Sequence, residues 1–129
     1  MRVFTHTVRV PYAHTDQMSY VYYAHYFLYF EMARSELLRE VGLPYGEMEQ
    51  RGIRLPVVEA WCSYKKPAHF DELLTIRSRC TEARGPRLRL EYELTRGDEL
   101  LAAGYTVHVT VSPEGKVLRR VPELEALRA

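Results

Sequence analysis

The chain has 129 residues, 47% hydrophobic and 27% charged, with 18 basic against 17 acidic side chains. That length accommodates one domain with a real core, and the composition is that of an ordinary globular chain rather than a disordered one. A net charge of +1 supplies no global field for nucleic acid or an anionic membrane, so an anionic ligand must meet a local basic cluster.

No apolar run approaches the roughly 20 residues of a membrane span. The first residues, MRVFTHTVRV, alternate instead of forming an apolar leader, so a cytoplasmic chain is expected. Cys62 and Cys80 fall inside strand-like runs, with no C-x-x-C or Cys/His ligand spacing. They read as buried thiols, and no metal site is expected. Arginine greatly outnumbers lysine and asparagine is absent, a bias compatible with a hot environment.

In chain order, the near-alternation from Arg2 to Val10 predicts a strand, ended by Pro11. Tyr12 to Tyr22 keeps neither period and reads as a loop with room for a helical turn. From Tyr23 to Val41 the helical period takes over, with Tyr23, Phe27, Phe30, Leu37 and Val41 on one stripe and Leu38 beside it. Gly42 and Pro44 supply the stop. Arg34 projects onto that stripe, so a pair with Glu31, or a guanidinium snorkelling to water, is expected. A short helix follows around Tyr45 to Arg51.

The remainder reads as strand. RLPVVEAWCSYKK is closed by Pro67, and LLTIRSRC, RLRLEYEL and YTVHVTV alternate in turn. In RLRLEYEL, Leu88, Leu90, Tyr92 and Leu94 share a face opposite Arg87, Arg89, Glu91 and Glu93. In YTVHVTV, Tyr105, Val107, Val109 and Val111 oppose Thr106, His108 and Thr110. One apolar and one wet face indicate an antiparallel sheet covered on one side. The connections EARGP, RGDE and SPEGK carry turn chemistry and predict a meander of hairpins. VPELEALRA can add an amphipathic turn or two. The predicted architecture is α+β: about five antiparallel strands wrapped around one long helix, in one domain over residues 1–129. The open edges of so small a sheet favour association with a second copy.

The stretch YAHTDQMSYVYYAHYFLYFEMAR, residues 12–34, resembles the signature of the hotdog-fold acyl-CoA thioesterases, in particular the 4-hydroxybenzoyl-CoA thioesterase-like branch. That signature runs from an aromatic and a small residue through T-D, a tight turn and V-Y to F-E-x-A-R. SYKKPAHFDELLTI and ELLAAGYTVHVTV match the family more loosely, and together the blocks span most of residues 3–122. Two positions depart from the pattern: Ser19 stands where the family usually has glycine, and His25 where it often has asparagine.

The resemblance implies hydrolysis of an acyl-CoA to acid and coenzyme A. Asp16 would be the nucleophile or the general base, and the backbone N–H of Tyr23, seven residues on at the helix start, would polarise the thioester carbonyl. Tyr12, Tyr20, Tyr22, Tyr23 and Tyr26 are candidates to line an aryl-acyl pocket, and His25 to assist by hydrogen bonding. Coenzyme A carries phosphates, for which Lys65 and Lys66 before Pro67, and Arg84 and Arg87 around Gly85-Pro86, are candidates. His14 could tune Asp16, and Asp71 reads as structural. The resemblance further implies a homo-oligomer, dimer or tetramer, with sites at subunit interfaces and no cofactor beyond the coenzyme A of the substrate. The alternative is a non-catalytic hotdog module that binds acyl-CoA or another small ligand.

Overall fold

The structure, a computed structural model, describes residues 2–128. It runs β1 (Val3–Arg9), a 3-10 turn (Tyr12–His14), α1 (Ala24–Glu40), α2 (Tyr45–Gln50), β2 (Val57–Tyr64), β3 (Leu73–Arg84), β4 (Arg87–Arg96), β5 (Glu99–Val109), α3 (Pro122–Glu125) and a closing 3-10 turn (Ala126–Arg128). The strands form one antiparallel sheet in the order β1-β3-β4-β5-β2. The β3–β4 and β4–β5 hairpins pair Arg84 with Arg87 and Arg96 with Glu99, leaving two-residue loops. Gly85 (φ 58°) and Gly97 (φ 60°) take the first loop position, the left-handed conformation that suits the twist of tight hairpins.

The long helix and its sheet form the α+β hotdog arrangement expected above. Leu88, Leu90, Tyr92 and Leu94 of β4 all point inward and are buried. The Phe30 ring of α1 stacks on Tyr92 at 4.5 Å. Gly104 of β5 lies so close to α1 that a Cβ there would come within 2.8 Å of the Phe30 ring and 2.5 Å of the Trp61 carbonyl oxygen. Gly104 thus sets the distance of closest approach between helix and sheet.

Three expectations are corrected. The buried face of α1 is rotated from the predicted stripe: Tyr26 and Tyr29 are buried beside Phe30, Ala33, Leu37 and Leu38, whereas Tyr23 is 61% exposed and Phe27 and Val41 are half-buried. The polarity of β5 is not the predicted one: Thr106 and His108, with Thr110 just beyond the strand, are buried, while on the other face Val107 is buried too and Tyr105 and Val109 are half-buried. Arg34 neither snorkels nor pairs with Glu31. It is 7% exposed, and its Nε and Nη1 donate to the hydroxyls of Tyr45 and Tyr92, each at 3.1 Å.

The last two corrections have one cause. The Leu55 carbonyl can only accept, so His108 Nδ1 carries a proton and donates to it at 3.1 Å. His108 Nε2 then accepts from Thr106 at 2.9 Å, which frees Thr106 Oγ1 to accept from Tyr92 at 2.7 Å. The Tyr92 oxygen accepts from Arg34. Each of these buried donors has an acceptor, so the polar residues of β5 sit inside without stranded groups. Burial pushes the His108 imidazole from 6.5 to about 4, and the chain runs through a neutral ring at neutral pH.

Neither cysteine forms a disulfide; Cys80 is buried and Cys62 half-buried. Among the described residues no helix is long and apolar enough to cross a membrane.

Candidate functional site

Between β1 and α1 the chain makes a small hairpin closed by a Thr15–Val21 bridge. Asp16 organises it. Its Oδ1 accepts from the Met18 and Tyr20 amides at 2.8 and 3.2 Å, while its own N–H donates to the Tyr20 carbonyl at 2.8 Å. Ser19 turns the tip with φ 65°, so serine adopts the left-handed conformation that glycine would take more cheaply. Val21 N–H donates to Ala68 O at 2.8 Å, tying the hairpin to the β2–β3 connection. One carboxylate oxygen is therefore held in place. The other, Oδ2, accepts no hydrogen bond among the described residues.

The hairpin leads directly into α1. Tyr23 is the N-cap residue in helical conformation. The amides of Tyr23 and Ala24 donate to no carbonyl among the described residues, as expected for the first turn of a helix, where the macrodipole is positive. The Tyr64 hydroxyl of β2 donates to the Tyr23 carbonyl at 3.3 Å and fixes this end of α1 to the sheet.

A cleft of about 430 Å³ joins these parts, lined by Asp16, Tyr20, Val21, Tyr22, Tyr23, Tyr26, Tyr64, Lys65, Lys66 and Pro67. Its wall is aromatic: Tyr22 and Tyr23 lie 4.8 Å apart, and Tyr64 meets Tyr26 edge-on at 5.0 Å. Burial, then the neighbouring Cys62, pushes the Tyr64 phenol up to about 12, and burial raises that of Tyr26. These hydroxyls act as neutral hydrogen-bonding groups at neutral pH.

Asp16, Tyr22, Tyr23, Lys65 and Lys66 therefore share one cleft. Tyr12 lies outside its lining, 75% exposed and edge-on to Phe70 at 5.6 Å. His25 is half-buried, outside the lining of the cleft, and stacks on His14 at 4.3 Å. Arg84 and Arg87 sit on the β3–β4 hairpin near α3, where Arg87 pairs with Glu82 at 2.5 Å; a single chain does not bring them to the cleft. Asp71 holds a left-handed turn (φ 69°), its N–H bonded to Val10 O at 2.9 Å. Tyr64 is the lining residue the sequence reading passed over, although its place just before Lys65-Lys66-Pro67 was the signal for it.

The two lysines differ. Lys66 Nζ lies 2.7 Å from Glu99, whose carboxyl is held below 4.5 by Lys66 and then by Arg96. Arg96 in turn binds both oxygens of Glu72, each at 2.8 Å, and also Glu99. Lys65 lines the same cleft with no ion pair among the described residues. A larger hollow of about 470 Å³ on the outer sheet face, beside Trp61 and Tyr105, contains none of these groups. Its Arg79 and Arg89 are within 3.6 Å of Glu91.

A carboxylate oxygen and a lysine without partners among the described residues, beside the unpaired amide at the start of α1 in one aromatic cleft, suit attack on a carbonyl of an anionic substrate. Residues 10–128 match the Thioesterase-like superfamily. The acyl-CoA thioesterase YbgC of Haemophilus influenzae is 31% identical over 115 residues, covering 88% of this chain and 84% of its own. A hypothetical protein from Thermus thermophilus superposes with a TM-score of 0.90 at 35% identity, over 97% of this chain and 99% of its own. The 1,4-dihydroxy-2-naphthoyl-CoA thioesterase of Synechocystis does so with a TM-score of 0.89 at 26% identity, over 98% and 95%. The protein is a thioester hydrolase of the hotdog fold. It belongs to the thioesterase-like superfamily.

Proposed function

We propose that this single-domain protein hydrolyses acyl-CoA thioesters to free acid and coenzyme A, with Asp16 as the reacting carboxylate. The observation that supports this most is Asp16, whose Oδ2 has no partner among the described residues, in the same cleft as Tyr23, whose amide at the start of α1 donates to no carbonyl among them. Oδ2 either bonds to the carbonyl carbon or takes a proton from a water that does so. The carbonyl oxygen gains the electron pair and is met by the N–H groups of the α1 start. Collapse of the adduct breaks the carbon–sulfur bond and releases the coenzyme A thiolate. If Asp16 is the nucleophile, water then hydrolyses the mixed anhydride and regenerates the carboxylate. The tyrosine wall suits a small, flat acyl group, in keeping with the naphthoyl-CoA thioesterase among the similar structures.

The working form is a homo-oligomer built on a dimer. β2 is an edge strand, and Val57, Val58, Trp61 and Tyr64 on it are 44–56% exposed. The cleft residues Lys65, Lys66 and Pro67 follow directly after β2, so a second copy on this edge would border the site and could supply cations that one chain leaves remote.

Thiol release from a panel of acyl-CoAs tests the activity. Asp16→Asn should lower kcat by about a thousandfold or more while the fold and coenzyme A binding persist. Near-wild-type turnover by that variant would remove Asp16 from the reaction. Single turnover in ¹⁸O-labelled water tests the anhydride route: label entering the Asp16 carboxylate marks an anhydride opened at Asp16, whereas label confined to product is given both by water activation and by an anhydride opened at the acyl carbon.

A further inference from the structure

Two histidines that the proposed reaction does not use bracket the Asp16 hairpin. His14 ends the 3-10 turn before it, and His25 lies in the first turn of α1 after it. Their rings are parallel to within 16°, with centroids 4.3 Å apart. His14 Nδ1 is 2.9 Å from the hydroxyl of Tyr29, which is fully buried. The His14 carbonyl also accepts from Tyr22 N–H at 2.9 Å. The stack is thus a second closure around the loop that carries Asp16, outside the Thr15–Val21 bridge.

We propose that the stacked His14–His25 pair, anchored on Tyr29, is a positioning device that holds the Asp16 hairpin in register with the helix-start amides. This rests on the thioesterase reading above, since it assigns the pair to the geometry of that reaction. Neither histidine lines the cleft, so the pair acts through Asp16 and not on the substrate.

The chemistry of the pair makes the device sensitive to acid. Burial, and next the neighbouring His25, hold the His14 imidazole below its ordinary 6.5. The Tyr29 phenol is pushed up to about 12 by burial, then by Tyr26, so it stays neutral, and its hydroxyl donates to a neutral His14 Nδ1 or accepts from a protonated one. A proton on His14 charges a ring that burial and His25 keep neutral, and it reverses the Tyr29 contact, with Nδ1 donating to the hydroxyl oxygen. The His25 ring stacked face to face opposes that charge. The titratable groups around the pair are Tyr29 from α1, Tyr22 edge-on to His25 at 6.2 Å, and the carboxylate of Asp16 two residues beyond His14. The clamp holds while His14 is neutral and loosens as pH falls through the lowered range of that ring, below 6.5.

The test compares kcat and KM for the best acyl-CoA from pH 5 to 9 in wild type, His25→Ala, His25→Phe and Asp16→Asn, with thermal melts to confirm folding. His25→Ala removes the stack and should lower kcat about tenfold at pH 8, less at the acid end where the clamp is already loose, with KM within about twofold. His25→Phe restores a stacked ring without a second cation. It should recover most of that loss at pH 8 and shift the acid limb of kcat to lower pH. Equal losses in the two variants, an acid limb unmoved in His25→Phe, or an effect confined to KM would overturn the proposal. Asp16→Asn keeps the outcomes distinct: an inactive Asp16→Asn beside indifferent His25 variants refutes the clamp alone. An active Asp16→Asn refutes the reading of the site itself.

Discussion

Lys65 and Lys66 are adjacent in sequence and line one cleft, but their charges are differently engaged. Lys66 is bound to Glu99 at 2.7 Å, at the end of a chain through Arg96 to Glu72, and recruiting it to a phosphate would break that contact. Lys65 has no competing carboxylate among the described residues. Lys65→Ala should therefore raise KM for acyl-CoA about tenfold, the usual scale of one charge-assisted hydrogen bond, with kcat little changed. Lys66→Ala should move KM by about twofold or less. Steady-state kinetics on the two variants check the order, and a larger KM effect at Lys66 would reverse the assignment. The sequence placed both lysines before Pro67 but could not rank them, because the partner Glu99 is 33 residues away and meets Lys66 only through strand pairing. Asp16 was legible for the opposite reason. Its contacts with Met18 and Tyr20 are local, so the short signature around it holds most of the geometry, with Ser19 able to take the turn at φ 65°.

At the scale of elements, the contact between α1 and the sheet depends on the absence of a side chain at Gly104. The obstacles to a Cβ there are the Trp61 carbonyl oxygen at 2.5 Å and the Phe30 ring at 2.8 Å, and the carbonyl is part of the β2–β5 pairing. Phe30 is itself stacked on Tyr92 at 4.5 Å and has little freedom to retreat. Gly104→Ala should destabilise the fold by about 3 kcal/mol, toward the upper end for overpacking, as read by urea denaturation; a variant within about 0.5 kcal/mol of wild type, the scale of a surface substitution, would show that the layers can part. The strands around this point differ in legibility. β4 was read correctly because its inward residues are Leu88, Leu90, Tyr92 and Leu94, and hydropathy and orientation agree. β5 departs from its hydropathy pattern because the buried Thr106 and His108 are satisfied by Tyr92 and the Leu55 carbonyl. Such partners come from distant segments, and a period-two hydropathy pattern carries no trace of them. The rotation of α1 has a similar origin. Tyr26 and Tyr29 are buried with their hydroxyls bonded to Ala68 N–H and His14, whereas Tyr23 stays at the cleft mouth.

The whole molecule leaves one sheet edge poorly protected. β2 is eight residues long, and most of it is exposed on both faces, with Val57, Val58 and Trp61 among its uncovered side chains. A long apolar edge of this kind templates further pairing unless a partner covers it. β1, the other edge, alternates exposed Thr5, Thr7 and Arg9 with better covered residues, a more polar strip. A two-fold axis beside β2 would join two five-stranded sheets and place each cleft, which begins where β2 ends, against the neighbouring subunit. Wild-type protein should therefore sediment as a dimer or a multiple of one. A charge in the middle of the exposed run, as in Val58→Lys, should shift it to monomer, since an isolated ammonium at a paired edge must be desolvated. If the neighbour completes the site, kcat/KM of that variant should fall at least tenfold at concentrations where it is monomeric and recover as concentration is raised. Sedimentation equilibrium and kinetics on the same samples give both readings. A wild-type monomer with full activity would show that one chain holds the whole site and that β2 tolerates water on its edge.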